Sequence, residues 1–154
     1  MEEDEYKSTY NELASVRCVF EKALTNHQAK CRLSQHFCLA DREGYACTNE
    51  VSSRKCIELL EKLRKNSVFV LKLREISGPL PHNMEIRVQA GGLAGLAKLL
   101  HGNVENSEQP TVMADSIDQI ISRSIERYGS LDELPYGDII QSVVQFQGRR
   151  RRQR

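Results

Sequence analysis

The sequence has no tryptophan, and only 6% of its residues are aromatic. A platform that stacks the bases of single-stranded nucleic acid needs presented aromatic rings, so this composition argues against that function. Aliphatic side chains must instead build the core. No apolar run approaches the ~20 residues that span a bilayer. The first residues, Met1-Glu2-Glu3-Asp4-Glu5, carry neither the basic nor the apolar region of a signal peptide. These absences predict a protein outside the membrane, in a reducing, cytoplasmic compartment. Net charge is nearly absent too, at +1. Phosphate-binding motifs are missing: no Gly-Lys-Ser/Thr follows the glycines at 91, 92 and 95, and their spacing is not GxGxxG. The glycines are better explained by a strand-to-helix turn and close helix packing.

What is present is an ordinary globular composition, 40% apolar and 28% charged over 154 residues, enough for one domain with a core. The expected fold is mainly α, with α+β as the alternative: about five helices and one short β-hairpin. Tyr10, Leu13, Val16, Phe20, Leu24 and His27 recur at helical spacing and predict a first helix from Tyr6 to Lys30. Residues Cys31 to Glu50 read as irregular, with a turn-like Asp41-Arg42-Glu43-Gly44 and room for a short helix through Leu33–Cys38. A helix from Ser52 to Lys65, capped by Ser52 or Ser53, carries the stripe Cys56, Leu59, Leu60 and Leu63. Ser67 to Arg74 is rich in β-branched and apolar residues and reads as a buried strand. Met84, Ile86, Val88 and Ala90 alternate with polar residues, which predicts its hairpin partner; a helix is the competing reading there. Gly91-Gly92 should break the chain before a helix ending at Gly102. Two further helices complete the chain, one capped by Asp115 and closed by Gly129, the other centred on Ile139, Ile140, Val143 and Val144. Residues 1–102 form an N-terminal region, 111–148 a C-terminal helical subdomain and 149–154 a basic tail.

The five cysteines carry the sharpest chemical signal. All fall within one third of the chain, spaced Cys18-x12-Cys31-x6-Cys38-x8-Cys47-x8-Cys56. In a reducing compartment a cluster of this density points to metal binding before disulfides. The tight Cys-x2-Cys pair of zinc ribbons and common ferredoxins is absent. Four of the five, or three with His36, would complete a sulfur-rich site for zinc or an iron–sulfur cluster. Wide spacing across separate elements leans toward the larger cluster. On the predicted first helix Cys18 lies opposite the apolar stripe, where only a ligand role or a covering element would justify it. Cys56, in contrast, also reads as a small core hydrophobe. His27 reads as packed, His82 as solvated, and His101 as a helix-end residue. A nucleophilic thiol at Cys38 near His36 would make an enzyme, but no orienting third group can be identified.

The C-terminal residues Arg149, Arg150, Arg151, Arg152 and Arg154 form the second signal. Such a tail would hold nucleic acid or an acidic protein surface, with affinity falling steeply as salt rises. The reading is a cysteine-ligated metal module, regulatory or binding in role, whose tail meets an anionic partner. The alternative is a metal-free helical adaptor or assembly subunit of a larger protein or ribonucleoprotein complex.

Overall fold

The structure is a computed structural model and describes residues 17–40, 42–72, 80–101 and 116–146. Among these residues are five α-helices and one two-stranded antiparallel hairpin. The mainly α expectation with one short hairpin therefore holds, but the hairpin lies elsewhere. It occupies the stretch that reads as irregular: β1 (Ser34–Leu39) pairs with β2 (Arg42–Cys47), from Ser34↔Cys47 at the base to Leu39↔Arg42 at the turn. Neither strand contains Val, Ile or Thr, and Phe37 and Tyr45 are their only strand-favouring residues, so propensity gives little hint of it. Tertiary contact supplies what propensity withholds. Gly44 and Ala46 are buried, and their small size lets the incoming chain lie against β2. Arg17 bridges to Ala46, and the Cys18 amide donates to the Tyr45 carbonyl at 3.1 Å.

The long first helix is not seen. Residues 6–16 of that prediction lie outside the described residues, and its remaining part forms only the single turn α1 (Glu21–Thr25). The buried face here is Phe20, Ala23 and Leu24. The chain leaves the helix at His27, whose φ of 56° is left-handed and whose side chain is exposed rather than packed.

Asn49 starts α2 (Glu50–Ser67), its side chain accepting from the Ser52 amide at 3.0 Å. The helix begins earlier than either serine cap would place it, because Asn49 satisfies an end amide first. Leu59, Leu60 and Leu63 are buried as the stripe requires. The strand expected from Ser67 is absent in its described part. Ser67 still belongs to α2, its hydroxyl donating to the Leu63 carbonyl at 2.6 Å. Residues 68–72 turn, and Phe69 is 90% exposed.

The second expected strand is helix as well. α3 (His82–His101) runs unbroken through Met84–Ala90 and through Gly91-Gly92. The alternating pattern misleads because Glu85 and Gln89 are buried, not solvated. The glycines serve packing, not interruption. α4 (Ile117–Tyr128) ends at Gly129, whose φ is 96°, and a short 3-10 turn, Leu131–Glu133, leads to α5 (Tyr136–Gln145). A Cβ on Gly91 would stand 2.7 Å from the Val143 Cα, and one on Gly95 2.7 Å from the Ile139 carbonyl oxygen. α3 and α5 thus meet backbone to backbone. Phe20, Leu59, Leu63, Leu93, Leu96, Ile120 and Ile139 share one core cluster, which joins the cysteine-bearing half to the C-terminal helices. Among the described residues, no helix is long and apolar enough to cross a membrane.

Candidate metal centre

Four separate segments bring Cys18, Cys31, Cys47 and Cys56 toward the base of the hairpin. The Cys18 segment is held from two sides. Its own amide and the Glu21 carboxylate clamp Tyr45 of β2: Cys18 donates to the Tyr45 carbonyl, and the Tyr45 amide donates to Glu21 Oε1 at 3.0 Å. From the other side, Gln89 of α3 accepts from the Ala23 amide and donates to the Val19 carbonyl, both at 3.1 Å. Gln89 in turn donates to Glu85, which Arg64 of α2 grips through its Nε at 3.1 and 3.2 Å. A buried carboxylate demands this pairing, because a lone charge away from water is costly. The result is that α2 and α3 fix the position of residues 19–23.

Cys31 is held by the start of α4. The Ile117 amide donates to the Lys30 carbonyl at 2.9 Å, and the Arg32 amide to Ser116 Oγ at 2.9 Å. The Arg32 guanidinium bonds the buried Asp118 carboxylate at 2.8 Å through two nitrogens. Asp118 Oδ1 lies 4.0 Å from the Cys31 sulfur. The Cys31 carbonyl accepts from Ser34, the residue paired with Cys47, so Cys31 and Cys47 sit at the same end of the ladder. Cys47 Sγ donates to the Asn49 carbonyl at 3.2 Å. Cys56 lies two turns up α2 from that cap and packs, with Cys18 and Cys31, against the apolar core.

The electrostatics follow from this placement. Cys31 and Cys47 both act on Cys18, and all three act on Cys56. Burial pushes the Cys18 thiol up to about 12, with the neighbouring thiols adding to the rise. Burial raises the Cys56 thiol as well. Both therefore stay protonated at neutral pH, and a thiophilic cation would have to displace their protons. A cleft lined by Arg17, Cys18, Leu60 and Arg64 opens beside the set.

Cys18 thus corrects the sequence expectation: it is not on an exposed polar face but packed against the core, because residues 17–20 bridge and turn instead of continuing a helix. Cys38 is corrected in the other direction. It is exposed near the turn, opposite Glu43, whereas Cys47 pairs with Ser34 four residues back along β1. At about 3.3 Å per residue, that places the two roughly 13 Å apart along the ladder. Cys38 cannot join Cys47 around one ion, and His36 stands with Cys38 and Glu43 at the tip. Glu43 is a group that sequence reasoning missed; only the strand register reveals it. Among the described residues, the tip trio has its ligand atoms within 4.8 Å of one another, and no three of the four base sulfurs do. A tetrahedral zinc site would hold its sulfurs about 3.8 Å apart, from bonds of about 2.3 Å. The base set is more open than that. The arginines Arg149, Arg150, Arg151, Arg152 and Arg154 lie outside the described residues.

No family model matches the chain. No curated protein and no solved structure matches it either.

Proposed function

We propose that this chain is a small thiolate-ligated metal module in which Cys18, Cys31, Cys47 and Cys56 hold zinc or an iron–sulfur cluster. The observation that carries the reading is that four cysteines from four segments lie toward one end of the hairpin, near enough for Cys18, Cys31 and Cys47 all to act on Cys56, with no three of their sulfurs within 4.8 Å of one another. All-sulfur ligation suits either cofactor. A site closed by four protein ligands is structural, or serves electron transfer or sensing, rather than hydrolysis. That supports a regulatory or binding role, with Arg149–Arg152 and Arg154 meeting nucleic acid or an acidic partner.

Anaerobic purification with elemental analysis tests the centre. Iron with inorganic sulfide and a brown colour identifies a cluster; one zinc retained by a colourless Cys38→Ser chain identifies zinc at the base. Cys47→Ser and Cys56→Ser should each lose the metal held by the base cysteines, while Cys38→Ser keeps that metal. A Cys38→Ser chain that carries neither metal, even after anaerobic reconstitution, overturns the reading and leaves the metal-free adaptor. Deleting Arg149–Arg154 and titrating nucleic acid over a salt series tests the tail: an unchanged affinity and salt slope would remove it from the proposal.

A further inference from the structure

The tip of the hairpin gathers a second set of ligand atoms. His36 and Cys38 are two residues apart on β1 and so share a face, and Glu43 is the direct cross-strand partner of Cys38. His36 Nε2 lies 3.3 Å from Glu43 Oε1, and one ligand atom from each of the three residues falls within 4.8 Å of the others. The imidazole is oriented from below: Tyr45, paired with His36 across the ladder, sets its ring 4.9 Å from it at 50°. An ion pair between His36 and Glu43 accounts for two of the three groups. It gives no reason for a thiol beside them on an exposed strand.

We propose that His36, Cys38 and Glu43 form a separate site for a divalent transition metal of zinc type, open to solvent on its outer side. Nitrogen, sulfur and carboxylate oxygen are the three donor kinds that bind Zn²⁺, at about 2.0–2.3 Å. Closing the trio onto an ion needs only rotamer changes in exposed side chains, since the strands already hold the three Cα positions. Three protein ligands leave the fourth position to water or to a donor from another molecule, so the metal exchanges readily. This site does not depend on the four cysteines at the base.

Zn²⁺ and Co²⁺ titrations of the full chain test it, with stoichiometry by calorimetry and thiolate-to-cobalt charge transfer by absorption. Wild type should bind one equivalent more than Cys38→Ser, whether or not the base set is filled. Glu43→Gln and His36→Ala should weaken that same equivalent at least tenfold, and Gln35→Ala, on the opposite face of β1, should leave it unchanged. These positions are exposed, so far-UV circular dichroism should not move. Equal stoichiometry and affinity in wild type, Cys38→Ser, His36→Ala and Glu43→Gln would overturn the proposal. Loss of the base metal in Cys47→Ser with the tip equivalent retained would confirm that the two sites are distinct.

Discussion

Tyr136 shows how one side chain links the loop chemistry to pH. Its hydroxyl donates to the Leu131 carbonyl at 2.5 Å, and burial raises its pKa above the ordinary 10.0, with Asp132 and Glu58 adding their charges. Above pH 10 the unfolded chain loses this proton while the folded chain keeps it. The unfolded state then binds fewer protons, so stability is intact below about pH 10 and falls as pH rises further. Tyr136→Phe should flatten that fall, at a cost of about 1 kcal/mol at neutral pH for the lost hydrogen bond; denaturant unfolding at the two pH values measures both. Nothing in the sequence singles out Tyr136, because its burial depends on how the 3-10 turn packs. Cys56 was legible, since its place on a regular stripe follows from spacing alone. Cys18 was not: its surroundings come from Tyr45 and Gln89, distant in sequence.

Among the elements, the α3–α5 contact is the most demanding on residue size. Gly95→Ala would gain about 1 kcal/mol of helix propensity. It would also force α3 away from the Ile139 carbonyl, and overpacking of this kind typically costs about 1–3 kcal/mol. The expected net effect is destabilisation. Gly137→Ala is the control, because nothing lies within 4 Å of a Cβ there; it should stabilise by up to about 1 kcal/mol. Urea unfolding of the two variants should shift in opposite directions. The packing role of these glycines was readable from their spacing, whereas the continuity of α3 was not. Glu85 and Gln89 look like the polar half of a strand until their partners Arg64, Val19 and Ala23 are known. The hairpin at Ser34–Cys47 escaped notice for the converse reason: its stability comes from burial of Gly44 and Ala46 against a neighbouring segment, and no local preference records that.

For the molecule as a whole, the proposed centre ties the N-terminal segments to a core that is otherwise aliphatic. Stripping the metal with a chelator should lower the melting temperature and release amide protection first in residues 17–56. The backbone-packed pair α3 and α5 should keep its protection longest, as hydrogen exchange read by mass spectrometry would show. The fold class, and the crowding of all five cysteines between Cys18 and Cys56, could be read from counts and periodicities. Which cysteines lie toward the base of the hairpin and which at its tip could not, since strand register and the grip of α4 on Cys31 decide it.

The hairpin turn has a practical consequence of its own. Ala40 is exposed, with a left-handed φ of 56° that alanine tolerates poorly. The base of the ladder is anchored by Cys18, Leu33 and Asn49, so little of the register rests on the turn itself. Glycine at position 40 should relieve the strain, and a short insert there, such as an epitope or a fluorophore attachment peptide, would leave the body of the protein undisturbed.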